Sequence, residues 1–196
     1  MNTNPLGDAP LNAAFQAALK NLPLIAILRG VQPSEAVAMG QALTDNQWQL
    51  IEVPLNSPQP LDSIAALAAQ FPSALVGAGT VLTVADVRNV NAAGGRLVVS
   101  PNFNAEVVRE TRRLGMLSLP GVITPSEAFA ALEAGASCLK LFPAEMISPS
   151  VVKALRAVLP KDVQLMPVGG IGPQDMSKWR AAGASGFGIG SALFKP

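Results

Sequence analysis

Short apolar runs, often β-branched, recur along the chain at Leu24–Leu28, Leu50–Val53, Leu75–Gly77, Leu97–Ser100, Leu117–Leu119, Cys138–Leu141, Val163–Val168 and Gly186–Ile189. Each has the length of a buried strand, and an alanine-rich stretch of helical periodicity separates it from the next. Helix starts are written between them: Thr124-Pro125-Ser126-Glu127 has the form of a capping box with proline in the first turn, and Ser148-Pro149 and Gly172-Pro173 open two more. Gly94-Gly95, Gly115, Gly135 and Gly183 fall just past apolar-periodic segments, where a left-handed cap residue ends a helix. Strict alternation of strand and helix predicts an all-parallel α/β sheet, and eight units predict a (β/α)8 TIM barrel as one domain over residues 1–196. Leu11, Phe15 and Leu19 put an apolar stripe on an extra N-terminal helix, suited to covering the bottom of the barrel. The final helix is missing from the pattern, because the chain ends six residues after Gly190. Truncation or a neighbouring element over the last strand would each account for that.

Composition narrows the chemistry. With 196 residues, 49% hydrophobic and 14% charged, the chain can bury a sizeable core. Lys plus Arg number 14 against 13 for Asp plus Glu, so no net field draws it to nucleic acid or to an anionic membrane. The opening MNTNPLGDAP has neither the basic nor the apolar region of a leader, and no apolar run approaches the roughly 18 residues of a membrane span. A cytoplasmic protein is expected. The single cysteine, Cys138, lies in an apolar run and reads as a small buried hydrophobe. Histidine and tyrosine are absent. That inventory excludes His-ligated zinc, Ser-His and Cys-His nucleophiles and histidine acid/base chemistry, leaving proton transfer to carboxylates, lysine or water. No metal and no cofactor are expected.

In such barrels the chemistry sits where strands end at the C-terminal face. Arg29 ends the first run, Glu52 lies in the second, Gly79-Thr80 follow the third and Lys140 lies in the sixth. Side chains alternate along a strand, so if Ile51 and Val53 face the helices, Glu52 faces the interior; with Leu139 and Leu141 outward, Lys140 faces inward too. Two buried ionisable groups are most simply explained by lying together near the barrel mouth. Burial favours the neutral amine, as a Schiff-base nucleophile requires, and Glu52 is then the candidate acid/base. Parity alone fits equally a structural Lys140–Glu52 ion pair or a lysine outside the barrel, and phosphate binding by Lys140 is a further option. A better phosphate cradle is offered by Val168-Gly169-Gly170 and Gly188-Ile189-Gly190-Ser191, glycine-rich ends of the last two strands where backbone N–H groups can approach an anion. A phosphosugar epimerase or isomerase would share this cradle and use Glu52 as base without needing the lysine. A non-catalytic sugar-phosphate binder would need neither.

The motifs Ile25-Ala26-Ile27-Leu28-Arg29-Gly30, Ile51-Glu52-Val53-Pro54-Leu55, Gly77-Ala78-Gly79-Thr80-Val81, Ser100-Pro101-Asn102, Pro120-Gly121 and Leu139-Lys140-Leu141-Phe142-Pro143-Ala144-Glu145 stand along the chain. On these, from about Leu22 to Phe194, the chain resembles the 2-keto-3-deoxy-6-phosphogluconate and 6-phosphogalactonate aldolases, class I enzymes of one barrel fold. The resemblance implies that Lys140 forms a Schiff base with the ketone of a small phosphorylated keto-deoxy sugar acid and that Glu52 shuttles its protons. It further implies that Arg29 and Thr80 surround the carboxylate end, that Gly170, Gly190 and Ser191 hold the phosphate, and that the protein is a homotrimer. Asn56, where a gluconate-type enzyme carries arginine, and Val168, where that type tends to threonine, resemble the galactonate branch.

Overall fold

The computed structural model describes residues 5–195, so residues 1–4 and 196 of the expected domain lie outside the described residues. Among the described residues, parallel strand segments alternate with helices, save that β5 and β6 are consecutive: α1 Pro5–Asn21, β1 Leu24–Ile27, α2 Pro33–Asp45, β2 Leu50–Pro54, α3 Pro60–Gln70, β3 Leu75–Gly79, α4 Val84–Ala92, β4 Leu97–Val99, α5 Ala105–Arg113, β5 Leu117–Leu119, β6 Gly121–Val122, α6 Pro125–Glu133, β7 Leu139–Leu141, α7 Pro149–Val158, β8 Leu165–Pro167, α8 Met176–Ala181 and β9 Phe187–Ile189. A short 3-10 turn, Ala144–Met146, separates β7 from α7. Six strands form one curled sheet in the order β5-β4-β3-β2-β1-β9, and β6-β7-β8 form a second.

The predicted strands recur within two residues of their expected limits, with one break. The fifth run, Leu117–Leu119, is β5 and pairs with β4, and beyond Pro120 an additional segment, β6, pairs with β7. Proline has no N–H to give a ladder. Gly121 is required just beyond, since a Cβ there would collide with the Pro101 carbonyl. At the other seam Pro167 ends β8, and a single parallel bridge, Val168 to Gly188, connects it with β9.

The helix signals act largely as read. Thr124 caps α6 and Glu127 returns the bond at 2.8 Å, while Thr83 and Asp86 do the same for α4. Gly94, Gly115, Gly135 and Gly183 all have positive φ just past helix ends. Gly172-Pro173 does not open its helix directly. It makes a turn, closed by the Asp175 N–H on the Gly172 carbonyl at 3.0 Å, and α8 starts only at Met176. After β9, residues 190–195 form a turn in which Leu193 and Phe194 donate to the Gly190 carbonyl, and no helix follows among the described residues.

Three buried layers explain the inward and outward positions. Ile51, Val53, Val76, Ala78 and Val98 pack outward under α2–α5. Leu139, Leu141 and Ile189 pack outward under α6–α8. Between them, Ile25, Leu50, Leu75, Leu97, Leu117, Cys138 and Met166 fill the space inside the curl, and Phe15, Ala18 and Leu19 of α1 plug it from below, with Leu11 at the edge. Cys138 is fully buried in this layer, and burial pushes its thiol pKa well up, as the inert reading requires. Among the described residues no helix is long and apolar enough to cross a membrane.

One surface cluster gives the fold an acid limit. Glu110 of α5 accepts from Arg88 of α4 at 2.8 Å and from Arg113 at 2.7 and 2.9 Å. These hydrogen bonds, from Arg113 first, hold its carboxyl down at about 2 against an ordinary 4.5. A carboxylate lowered by folding stabilises above its unfolded pKa and loses that contribution as pH falls through the folded one. Both arginines are largely exposed, so the effect is modest. Glu110→Gln is expected to lower the thermal midpoint at neutral pH, and the deficit should shrink as unfolding is followed from pH 4.5 toward 2.

Candidate active site

The second and seventh strand segments each carry one charge inward. Glu52 lies between outward Ile51 and Val53, and Lys140 between outward Leu139 and Leu141; they are 2% and 7% exposed. Glu52 fits because Gly79 on the neighbouring strand has no side chain: a Cβ there would stand 2.7 Å from the Glu52 Oε1. Burial raises the Glu52 pKa, against the opposing fields of Lys140 and Arg29. Burial lowers that of Lys140, opposed by Glu52 and assisted by Arg29. The two groups therefore feel one another, yet among the described residues no direct ion pair joins them. The amine instead lies 4.6 Å from the centre of the Phe142 ring.

The loops after the first three strands meet beside this pair. The Arg29 Nη1 donates to the Asn56 Oδ1 at 2.8 Å, and the Gly30 N–H donates to the Ser57 hydroxyl at 3.0 Å, so two bonds hold the β1 and β2 loops together. Gly30 has φ +87, a conformation its missing Cβ permits. Thr80 has φ +58, which is strained for a β-branched residue and is imposed from both sides: the Gly79 carbonyl accepts from Leu55 and the Val81 N–H donates to Val99.

A cavity of about 510 Å³ opens at the ends of β1, β7, β8 and β9. Arg29, Phe142, Val168, Gly169, Gly170, Gly190 and Ser191 line it, together with Glu145, Gln174 and Lys195. Gly169 and Gly170 take φ +113 and +62, and the N–H groups of Gly170 and Ser191 donate to no acceptor among the described residues, while that of Gly169 faces Gly188 across the bridge between β8 and β9. Free amides in the glycine-rich wall of a cavity suit an anion. Five of the expected residues, Arg29, Gly169, Gly170, Gly190 and Ser191, thus share one cavity. Lys140 and Glu52 adjoin it through Phe142 and Arg29. Thr80 lies at the same end, after the Gly79 that packs on Glu52, but does not line the cavity.

Sequence reasoning did not single out Phe142, Glu145, Ser57 or Lys195. Phe142 was within reach of it, since it shares the parity of Lys140 two residues on. Nothing local marks the other three. Among the described residues no group of three or more carboxylate, cysteine or histidine side chains is arranged to hold a metal.

Comparison with known proteins converges on one group. The family model "Aldolase: KDPG and KHG aldolase" matches residues 15–196. The chain is 49% identical over 175 residues to the probable 2-dehydro-3-deoxy-6-phosphogalactonate aldolase of Rhizobium meliloti (strain 1021), spanning 89% of this chain and 82% of that protein. It is 46% identical over 175 residues to the 2-dehydro-3-deoxy-6-phosphogalactonate aldolase of Escherichia coli (strain K12), with 89% and 85% covered. A solved structure described as native KDPGal superposes with a TM-score of 0.87 at 46% identity, covering 89% of this chain and 85% of that one.

Proposed function

Since the chain belongs to the KDPG and KHG aldolase family, we propose that it is a class I aldolase cleaving 2-dehydro-3-deoxy-6-phosphogalactonate to pyruvate and glyceraldehyde 3-phosphate. The observation that carries the mechanism is the buried Lys140, whose amine is pushed toward neutrality beside a buried Glu52 and without a direct ion pair. A neutral amine adds to the C2 ketone and loses water to give an iminium, which then accepts the electron pair of the C3–C4 bond as it breaks. Glu52 carries the protons: one to the departing water, one from the C4 hydroxyl as the aldehyde forms, and one to C3 of the enamine before hydrolysis frees pyruvate and the amine. Arg29 faces the substrate carboxylate with Thr80, and the amides around Gly169, Gly170, Gly190 and Ser191 hold the phosphate.

The same reading takes residues 1–196 as a single (β/α)8 barrel, closed through the strand change at Pro120 and the Val168–Gly188 bridge. It takes the protein as cytoplasmic, without nucleic-acid or membrane partners. It also takes it as a homotrimer, with exposed Leu82, Phe129, Met146 and Val158 as apolar surface for subunits to cover.

Galactonate is preferred over gluconate because apolar Val168 lines the cavity, where a threonine hydroxyl would be a partner for substrate, and because Asn56 binds Arg29 in place of a second arginine. The two C4 epimers are the direct test. The kcat/KM is expected to favour the phosphogalactonate by at least tenfold, and a preference for the phosphogluconate would move the chain to the other branch.

The phosphate assignment has its own test. A Cβ at Gly190 meets only Ile27, from 3.7 Å, so a larger side chain there is compatible with the fold and enters the cavity. Gly190→Val should raise KM for the phosphorylated substrate much more than for its unphosphorylated analogue, as should Ser191→Asp through charge. Equal effects on both substrates would remove the phosphate from this cavity.

A further inference from the structure

The turn after β7 brings a negative charge against the glycines at the end of β8. Glu145 sits in the 3-10 turn Ala144–Met146, and its side chain folds over the two left-handed glycines that end β8. A Cβ on Gly169 would stand 2.9 Å from the Glu145 Cδ, and one on Gly170 2.8 Å from its Cγ. The backbone beneath is fixed, since the Ala144 N–H donates to the Val168 carbonyl at 2.9 Å and the Met146 N–H to the Pro143 carbonyl at 3.1 Å. The carboxylate itself is exposed and, among the described residues, has neither a hydrogen bond nor an ion pair. It is thus an unpaired charge on a fixed backbone, lying against the two glycines that the phosphate reading assigns to the anion.

We propose that Glu145 is a specificity-determining residue of this cavity: its carboxylate lies over Gly169 and Gly170 in the free protein and is displaced by the phosphoryl group of the substrate. The inference rests on the phosphate reading of the cavity. Like charges a few ångströms apart in a partly dry cleft repel, so Glu145 weakens every anion that enters. A substrate also held covalently at Lys140 and through its carboxylate overcomes that repulsion with contacts elsewhere. Inorganic phosphate has no such contacts. Glu145 therefore keeps free phosphate from occupying the site and hastens departure of the phosphorylated aldehyde product.

The test is competitive inhibition of substrate cleavage by inorganic phosphate and by glycerol 3-phosphate in the wild-type protein, Glu145→Gln and Glu133→Gln. Glu133 is an exposed carboxylate on α6 outside the cavity, and its replacement reproduces the change in net charge alone. Glu145→Gln should lower the inhibition constant of inorganic phosphate roughly tenfold, with Glu133→Gln unchanged. Equal inhibition of wild type and Glu145→Gln would overturn the proposal, as would the same gain in Glu133→Gln. If neither probe competed in any of the three proteins, the phosphate reading itself would fall, and this inference with it.

Discussion

Lys140→Ala is expected to reduce cleavage to the uncatalysed background, the largest effect of any single substitution in this protein. Among the described residues no other inward-facing amine adjoins the cavity: Lys195 lines it but is exposed. Without a covalent imine there is no electron sink for the C3–C4 bond. Lys140→Arg separates this role from a structural one. Arginine keeps a cation beside Glu52 and Phe142 but stays protonated and cannot form the imine, so it too should be inactive while the protein remains folded. A structural ion pair would instead be largely preserved by it. The lowered amine pKa also fixes the sign of the pH dependence. As pH falls, Lys140 protonates and kcat/KM should drop, and the drop should begin below the ordinary lysine range because burial has moved the group down.

Glu52→Gln should cost roughly 100-fold or more in cleavage, the usual worth of a positioned acid/base. Glutamine keeps the size that Gly79 leaves room for and removes only the proton exchange. Imine formation with pyruvate should survive, slowed, because the amine is still present. Loss of the carboxylate also removes one group that favours charged Lys140, so the amine should titrate lower still in the variant. Both outcomes are read from single-turnover cleavage and from the acid limb of the kcat/KM profile. Cleavage within a few-fold of wild type would take Glu52 out of the proton transfers.

The parity argument could be made from sequence because the strands are short, buried and strictly alternating. Ile51 and Val53 on one side and Leu139 and Leu141 on the other leave a single direction for Glu52 and Lys140. The glycine caps and the Thr124 box were equally readable, since each depends on a few adjacent residues. Pro120 was visible, but the partner change that it produces depends on Pro101 closing against Gly121 from another loop. The Asn56 clasp on Arg29 spans 27 positions, so no local pattern encodes it. The same holds for Glu145, whose glycine partners are on the following strand, and for Thr80, whose strained φ is imposed by β2 and β4 neighbours. Residues fixed by their own strand or helix end were legible; those fixed by the meeting of loops were not.

The central claim, that Lys140 is the nucleophile, is tested most directly by borohydride reduction in the presence of pyruvate, followed by mass spectrometry of the digested protein. A stable adduct on the peptide that contains Lys140, absent from Lys140→Ala and retained in Glu52→Gln, is the predicted result. A label on Lys20, Lys153, Lys161, Lys178 or Lys195, or cleavage that persists in Lys140→Ala, would contradict it.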